Sequence, residues 1–296
     1  MEFIPARKIL HKVRHDTGQW FGIDYNINLY KGCSHGCIYC DSRSDCYRIE
    51  NFDTVRSKQD AIPLLERDLK SCRGSGVVGI GAMSDAYNPQ EKKYEITGQA
   101  LQLLLEYGYG AALATKSALV ARDAELLGRI AAKQSCLVKF TVTAAEDTLS
   151  RQLEPGTSVS SRRFAAMEQV AASGVFTGVL LTPVLPFITD NEENLLGIVR
   201  QAKAHGAGFV YTSMGVTLRQ NQRDYYYQQL NAHFPGLWQR YNETYGSAYS
   251  CQVPDSRQLY RIFAQECERL GLLYKMQDII AAYKRPDSYE QMSLFE

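Results

Sequence analysis

Three thiols in one short loop are the residues of this sequence best placed to do chemistry. In Gly32-Cys33-Ser34-His35-Gly36-Cys37-Ile38-Tyr39-Cys40 the cysteines stand three and then two residues apart. Thiolates are soft ligands, suited to iron–sulfur clusters and to zinc. At this spacing one loop presents three sulfurs to one small object, and Gly32 and Gly36 let the backbone fold tightly around it. A structural zinc is normally closed by a fourth Cys or His, and His35, Cys46, Cys251 and Cys267 are the candidates for that role. A three-cysteine cluster instead leaves one iron open to an exogenous ligand. The chain has 8 cysteines in 296 residues, too few for a disulfide scaffold. Four of them fall between Cys33 and Cys46 and the rest are scattered, the pattern of a single metal site. Among the scattered ones, Cys72 and Cys136 read as small buried hydrophobes.

The elements that must position this loop follow from periodicity. From residue 77 onward short β-branched runs alternate with segments of helical period. Strands are expected at 77–81, 111–115, 137–142, 175–181 and 209–211, and an earlier one near Ile27–Tyr30 leads into the cysteines. Between them Ile96, Ala100, Leu103, Leu104 and Tyr107 mark one helix face, Leu126, Leu127 and Ile130 a second, and 164–172 a third. Asp190 with Glu193 three residues on is a capping-box-like start for a fourth. About six βα units in strict alternation argue for a parallel sheet wrapped by helices, either a barrel or an open doubly wound sheet. In both, chemistry sits at the carboxyl ends of the strands. Periodicity alone leaves the two open. The rhythm stops after about residue 218. The reading is a core over 1–218 with an N-terminal extension, a mostly helical flank or lid over 219–286 with Gly271 as a helix stop, and a flexible tail over 287–296.

Composition bounds the rest. At 45% hydrophobic the chain can bury one large core, with or without a small appended domain. A net charge of +1 gives no global electrostatic footprint for nucleic acid. No run of about 18 apolar residues predicts a membrane span, and the first residues lack the apolar centre of a signal peptide. A cytoplasmic protein without a membrane partner is expected.

The CxxxCxxC spacing with Tyr39 immediately before the last cysteine resembles the signature of the radical S-adenosylmethionine (SAM) superfamily. The resemblance implies a parallel (β/α)6 partial TIM-type barrel with a C-terminal helical extension. It implies a [4Fe–4S] cluster on Cys33, Cys37 and Cys40, whose open iron chelates SAM, and a one-electron donor such as flavodoxin or ferredoxin. Further stretches over most of 27–215 resemble the spore photoproduct lyase branch. That likeness places Tyr39, Ser84 and Asp85 beside SAM, and Lys116 on the SAM carboxylate, where a compact ammonium suits an anion. It also places Thr143 near the methionyl or ribose part, and Thr182 at the end of the fifth strand, where adenine is held. Leu153-Glu154-Pro155-Gly156-Thr157 followed by Arg162-Arg163 matches the branch too, although it also reads as an ordinary turn. One departure stands out. Where the branch carries a hydrogen-donating cysteine, this sequence has Ala82 with Met83 beside it. Neither donates as a thiol does, which leaves Tyr87, Tyr39 or Cys72 as substitutes.

The tail segment Gln291-Met292-Ser293-Leu294-Phe295 resembles the pentapeptide by which bacterial repair and replication proteins dock on the β sliding clamp. There Leu294 and Phe295 would fill an apolar pocket and Gln291 would fix the register. Together with the lyase-like core this implies an enzyme acting on DNA, repairing a damaged base. Arg219, Arg223 and the run Tyr225-Tyr226-Tyr227 are candidate contacts to nucleic acid, or else a helix with its tyrosines in the core. The alternatives are a radical SAM enzyme for a peptide, protein or small metabolite, and a metal-binding module without catalysis.

Overall fold

A computed structural model describes residues 1–13, 20–72 and 74–285, so the tail with Gln291, Leu294 and Phe295 lies outside the described residues. Six strands carry the architecture: β1 (Tyr25–Ile27), β2 (Val77–Ile80), β3 (Gly110–Thr115), β4 (Cys136–Thr141), β5 (Phe176–Leu181) and β6 (Phe209–Thr212). Each is parallel to its predecessor and hydrogen-bonded to it, so chain order and sheet order coincide. The connecting helices are α1 (Ala61–Ser71), α2 (Ile96–Glu106), α3 (Ala124–Lys133), α4 (Ser160–Ala172) and α5 (Glu192–Ala204). Right-handed crossovers that all run the same way put every helix on one side of the sheet. Sequential order without a reversal is that of a partial barrel and not of a doubly wound sheet, which decides the choice that periodicity left open.

Period-two alternation sorts the strand side chains. Val78 and Ile80, Ala111 and Leu113, Val138 and Phe140, and Val179 and Leu181 join one core with helix residues such as Leu104, Leu127, Met167 and Ile198. The alternate residues form the inner layers. Gly79, Ala112, Leu137 and Phe176 lie in register, and above them Ala114, Lys139, Gly178 and Phe209 do so. Neither edge of the open barrel is bare. His11–Lys12 pairs antiparallel to β1, and Leu273 bridges to β6, its carbonyl taking Val210 N at 2.9 Å and its own N reaching Gly208 O at 3.0 Å. Covering such edges removes a template for strand addition.

Two local expectations shift. The early strand is Tyr25–Ile27, and Tyr30–Lys31 instead pairs antiparallel with Arg56–Lys58 in a separate small sheet. The cap of α5 is Asn191, whose side chain accepts from Asn194 N at 2.9 Å, one residue beyond the Asp190 position read from sequence. An asparagine oxygen serves that N-terminus as well as an aspartate does.

After residue 218 come α6 (Gln222–His233), α7 (Leu237–Tyr245), α8 (Ser256–Leu270) and α9 (Met276–Tyr283). The first two pack together through Tyr226 and Tyr241, both fully buried and joined hydroxyl to hydroxyl at 3.0 Å. Helix α8 packs on α5, where Glu266 is held by Arg200 at 2.6 Å, and ends at Gly271 with φ +65° as expected. Helix α9 packs against the turn at Trp20–Gly22. Among the described residues no helix is long and apolar enough to cross a membrane.

Candidate active site

The cysteine loop leaves β1 and lies over the carboxyl ends of the strands. Gly32 begins it with φ +81°, and a Cβ there would stand 2.2 Å from the Thr54 carbonyl, so only glycine fits. Backbone bonds then fix the loop from both sides: Cys33 N to Phe52 O at 2.7 Å, Ile38 N to Leu153 O at 3.0 Å, and Gly156 N to His35 O at 2.8 Å. Gly156 must be bare as well, since a Cβ would lie 2.9 Å from His35 Cα. The Leu153–Thr157 stretch is therefore a bracket on the cysteine loop, a role its reading as an ordinary turn did not contain.

A cavity of about 500 Å³ opens beside the loop, and Cys33, Cys37, Cys40, Ser84, Lys116 and Thr141 are among its lining residues. All three cysteines are free of disulfides. Burial pushes the Cys37 and Cys40 thiols up, and Lys116 opposes that shift in both. Burial works against the Lys116 charge, but Cys37, Glu154 and Cys40 outweigh it and its ammonium is held above the usual lysine value. Its Nζ also lies 5.8 Å from the centre of the Tyr39 ring.

Behind the loop sits a buried ion pair. Arg163 and Glu154 meet at 2.5 Å, with side chains 0% and 1% exposed. Glu154 also accepts from the Tyr39 hydroxyl and from Thr143 Oγ1 at 2.9 Å. Arg163 donates to Ser158 O at 2.6 Å and Thr141 O at 2.7 Å. Burial alone would raise the Glu154 carboxyl, yet Arg163 and Lys116 hold it below its ordinary value. Such a pair is costly to desolvate, but once it is formed each partner is needed by the other. Its geometric effect is to pin the aromatic residue that precedes Cys40.

The expected site residues thus divide. Cys33, Cys37, Cys40, Ser84, Asp85 and Lys116 share the cavity wall. Two of them spend polar atoms on the loop itself. Ser84 Oγ donates to Gly32 O at 2.5 Å, while Asp85 accepts from Thr115 Oγ1 at 2.7 Å and Lys116 N at 2.7 Å and stands 3.5 Å from His35 Nδ1. Tyr39 and Thr143 lie in the buried Glu154 network, and it is Thr141, two residues earlier, that lines the cavity. Thr182 follows β5 and precedes Pro183 through a cis peptide bond. Sequence reasoning missed Thr141, Phe52 and Gln222. The last is fully buried and ties α6 to the loop through Nε2 to Tyr39 O at 3.0 Å.

The basic and tyrosine residues of the flank, candidates either for nucleic-acid contact or for packing, make these contacts within the protein. Arg223 is spent on the carbonyls of Leu218, Gly246, Ser247 and Ala248. Arg219 pairs with Asp41 at 3.0 Å, Tyr225 lies 3.9 Å beneath the Arg43 guanidinium, and Tyr226 is in the core.

No family model matches the chain. An uncharacterized protein of Mycobacterium tuberculosis is 31% identical over 229 residues, which is 75% of this chain and 67% of the relative. An uncharacterized protein of Mycobacterium bovis matches to the same extent. The chain belongs to the family of these mycobacterial proteins. An uncharacterized protein of Methanocaldococcus jannaschii is 28% identical over 173 residues, 58% of this chain and 64% of the relative. Among solved structures, a tyrosine-to-phenylalanine mutant of spore photoproduct lyase superposes with a TM-score of 0.66 at 15% identity, covering 92% of this chain and 82% of the lyase. A double mutant of that lyase with bound AdoMet and dinucleoside spore photoproduct gives 0.62 at 15% identity over the same shares. The fold is the one seen in spore photoproduct lyase.

Within this fold the donor set suits a cluster held by three thiolates. Soft sulfurs on one cavity wall, a backbone cradle that excludes a Cβ at Gly32, and a neighbouring ammonium all favour thiolate ligation. Among the described residues no group of three or more His, Cys, Asp or Glu side chains stands ready to hold a metal ion, so the three thiols share a wall without converging. Of the four candidate zinc closers, His35 lines the cavity; Cys251 and Cys267 are fully buried elsewhere, and Cys46 is exposed beside Arg219 at 3.3 Å. The three candidate hydrogen donors are placed differently. Cys72 bonds Tyr25 at 3.4 Å, at the amino end of β1 and thus the far end of the barrel. Tyr87 is spent on Asp123 at 3.0 Å and Tyr39 on Glu154.

Proposed function

We propose that the protein is a radical SAM enzyme acting on nucleic acid. The single observation that carries this reading is the shared cavity wall of Cys33, Cys37, Cys40 and Lys116 at the carboxyl ends of six parallel strands. A [4Fe–4S] cluster bound there, with one electron from a flavodoxin- or ferredoxin-like donor, would supply the reductive cleavage of SAM that yields a 5′-deoxyadenosyl radical. The residues of this chain do the positioning. The three thiolates hold the cluster and leave one corner open, Lys116 offers its ammonium to the SAM carboxylate, and Ser84 and Asp85 keep the loop and the β3 terminus in register. The likeness to spore photoproduct lyase, a protein seen with a dinucleoside lesion, supports nucleic acid as the substrate class. Ala82 argues for a hydrogen return that differs from a cysteine-mediated one.

In the test, chain reconstituted anaerobically with iron and sulfide receives SAM, a reductant, and either irradiated or unirradiated DNA. Formation of 5′-deoxyadenosine is expected to rise with irradiated DNA. Indifference to every DNA would remove the nucleic-acid reading. Lys116→Met is expected to weaken SAM binding by about 2–5 kcal/mol, roughly 30-fold or more in Kd, the loss typical of truncating one partner of a desolvated charge pair. Equilibrium binding to the reconstituted protein measures it, and an unchanged Kd would free Lys116 of this role. Docking on the β sliding clamp through Gln291, Leu294 and Phe295 is part of the same proposal. Deleting residues 291–296 is expected to abolish retention by purified clamp, and retention by the deleted chain would refute it.

A further inference from the structure

Lys139 is a cation that the positioning roles above do not use. It occupies the lumen face of β4, in register with Ala114 on one side and Gly178 on the other. Ala114, its in-register neighbour, and Thr141, two residues further along β4, both line the active-site cavity, so Lys139 borders the floor of that cavity. The small neighbours leave the lumen of this layer to the lysine and to Phe209, whose ring lies 2.3 Å from where a Cβ on Gly178 would be. The side chain is 4% exposed. Among the described residues it has no ion pair within 4.0 Å, and its recorded polar partner is the face of Phe21, 4.6 Å from Nζ to the ring centre. Of the described groups at this end, Lys284 pairs with Asp24 at 3.0 Å, and the titratable Tyr283 donates to the Phe21 carbonyl. Among the described residues no countercharge faces it, and burial lowers the Lys139 ammonium to about 7.

The wall facing it is built with unusual backbone. Trp20 and Phe21 are consecutive bulky residues in the left-handed region, at φ +42° and +59°. Such conformations persist where surrounding structure over-determines them, and they concentrate at ligand sites. Here α9 supplies the constraint: Met276 Sδ accepts from Phe21 N at 3.1 Å, and Lys284 Nζ donates to Gly22 O at 2.9 Å. The result is an aromatic group at the lumen, with Phe21 5.6 Å from Tyr211 and the half-exposed Trp20 6.3 Å from Tyr211.

We propose that Lys139 anchors an anionic group of the substrate, a phosphate or a carboxylate, with the Trp20–Phe21–Tyr211 aromatics packing against the body that carries it. A buried ammonium with no ion pair among the described residues is stabilised by an arriving anion more than an exposed one is, because water screens it less. The proposal rests on the reading that the lumen beside the cluster cavity receives the substrate. It requires anions to bind more tightly as pH falls through the range in which Lys139 takes up its proton.

Trace acetylation of the reconstituted protein by acetic anhydride, from about pH 6 to about pH 10, with peptide mass spectrometry, reads this lysine directly. Lys139 is expected to label with a midpoint near 7. Inorganic phosphate or acetate is expected to raise that midpoint by about one pH unit, an approximately tenfold drop in labelling near neutral pH. A response to phosphate alone points to a nucleotide-like substrate, and a response to acetate alone to a carboxylate. Lys139→Met is expected to abolish stabilisation of the protein against heat by the effective anion, and Lys139→Arg to retain it. A midpoint that neither anion moves overturns the proposal, as does a lysine that labels only after unfolding. Protection by SAM alone also overturns it, by assigning Lys139 to the cofactor. The labelling reads the lysine whether or not SAM is cleaved, so its failure is distinct from failure of the radical SAM reading.

Discussion

Alanine at any one of Cys33, Cys37 or Cys40 is expected to strip the reconstituted protein of cluster iron and to bring SAM cleavage down to the assay background, while the far-ultraviolet circular dichroism stays that of the parent. The separation of effects follows from how the loop is held. Its backbone bonds to Phe52, Leu153 and Gly156 and the Tyr39 tie to Glu154 involve none of the three sulfurs. Removing one thiol therefore deletes a ligand without releasing the cradle. Cys251→Ala and Cys267→Ala are the controls. Both cysteines are fully buried away from the cavity, so these variants lose packing and are expected to keep their iron. Iron and colour retained by the Cys37→Ala protein would show that the loop is not the ligand.

Arg163→Met is expected to be the most destabilising single substitution near the site. It leaves Glu154, 2% exposed, facing the interior without its principal countercharge. Breaking a buried pair in this way costs about 3–5 kcal/mol, on the order of 10 °C in Tm for a chain of this size. Glu154→Gln should cost less, because a neutral amide oxygen still accepts from Tyr39 and Thr143. The pH dependence has a definite sign. A carboxyl held below its unfolded value contributes stability above that unfolded value and loses it as acid protonates the folded form. Acid should therefore destabilise the parent more than the Gln variant. Equal acid sensitivity of the two proteins would mean that Glu154 is not the group titrating.

Much of the fold was legible because its signals are local. Periodicity alone placed five of the six strands within one or two residues, since buried parallel strands read as continuous apolar runs such as Val77-Val78 and Leu137-Val138. The cysteine loop was legible for the same reason, its three cysteines and two glycines being neighbours in sequence. The Glu154–Arg163 pair was not, because what defines it is burial, and burial depends on Tyr39 and Thr143 arriving from elsewhere. Ser84 and Asp85 do line the cavity at the strand ends, but which atoms they satisfy depends on Gly32, Thr115 and His35, and no motif encodes that. Strict alternation along β4 could have drawn attention to Lys139, since an inward lysine between Val138 and Phe140 breaks the apolar pattern. The tyrosine run at 225–227 stayed ambiguous for the converse reason: aromatics beside arginines look alike whether they stack on bases or on each other.

The most direct measurement is the electron paramagnetic resonance spectrum of the reduced, reconstituted protein before and after SAM is added. Three thiolates around a cluster with one open corner predict a signal that SAM reshapes, and that is lost with Cys33, Cys37 or Cys40. A colourless protein holding tetrahedral zinc through a fourth ligand, or a cluster signal indifferent to SAM, would contradict the account.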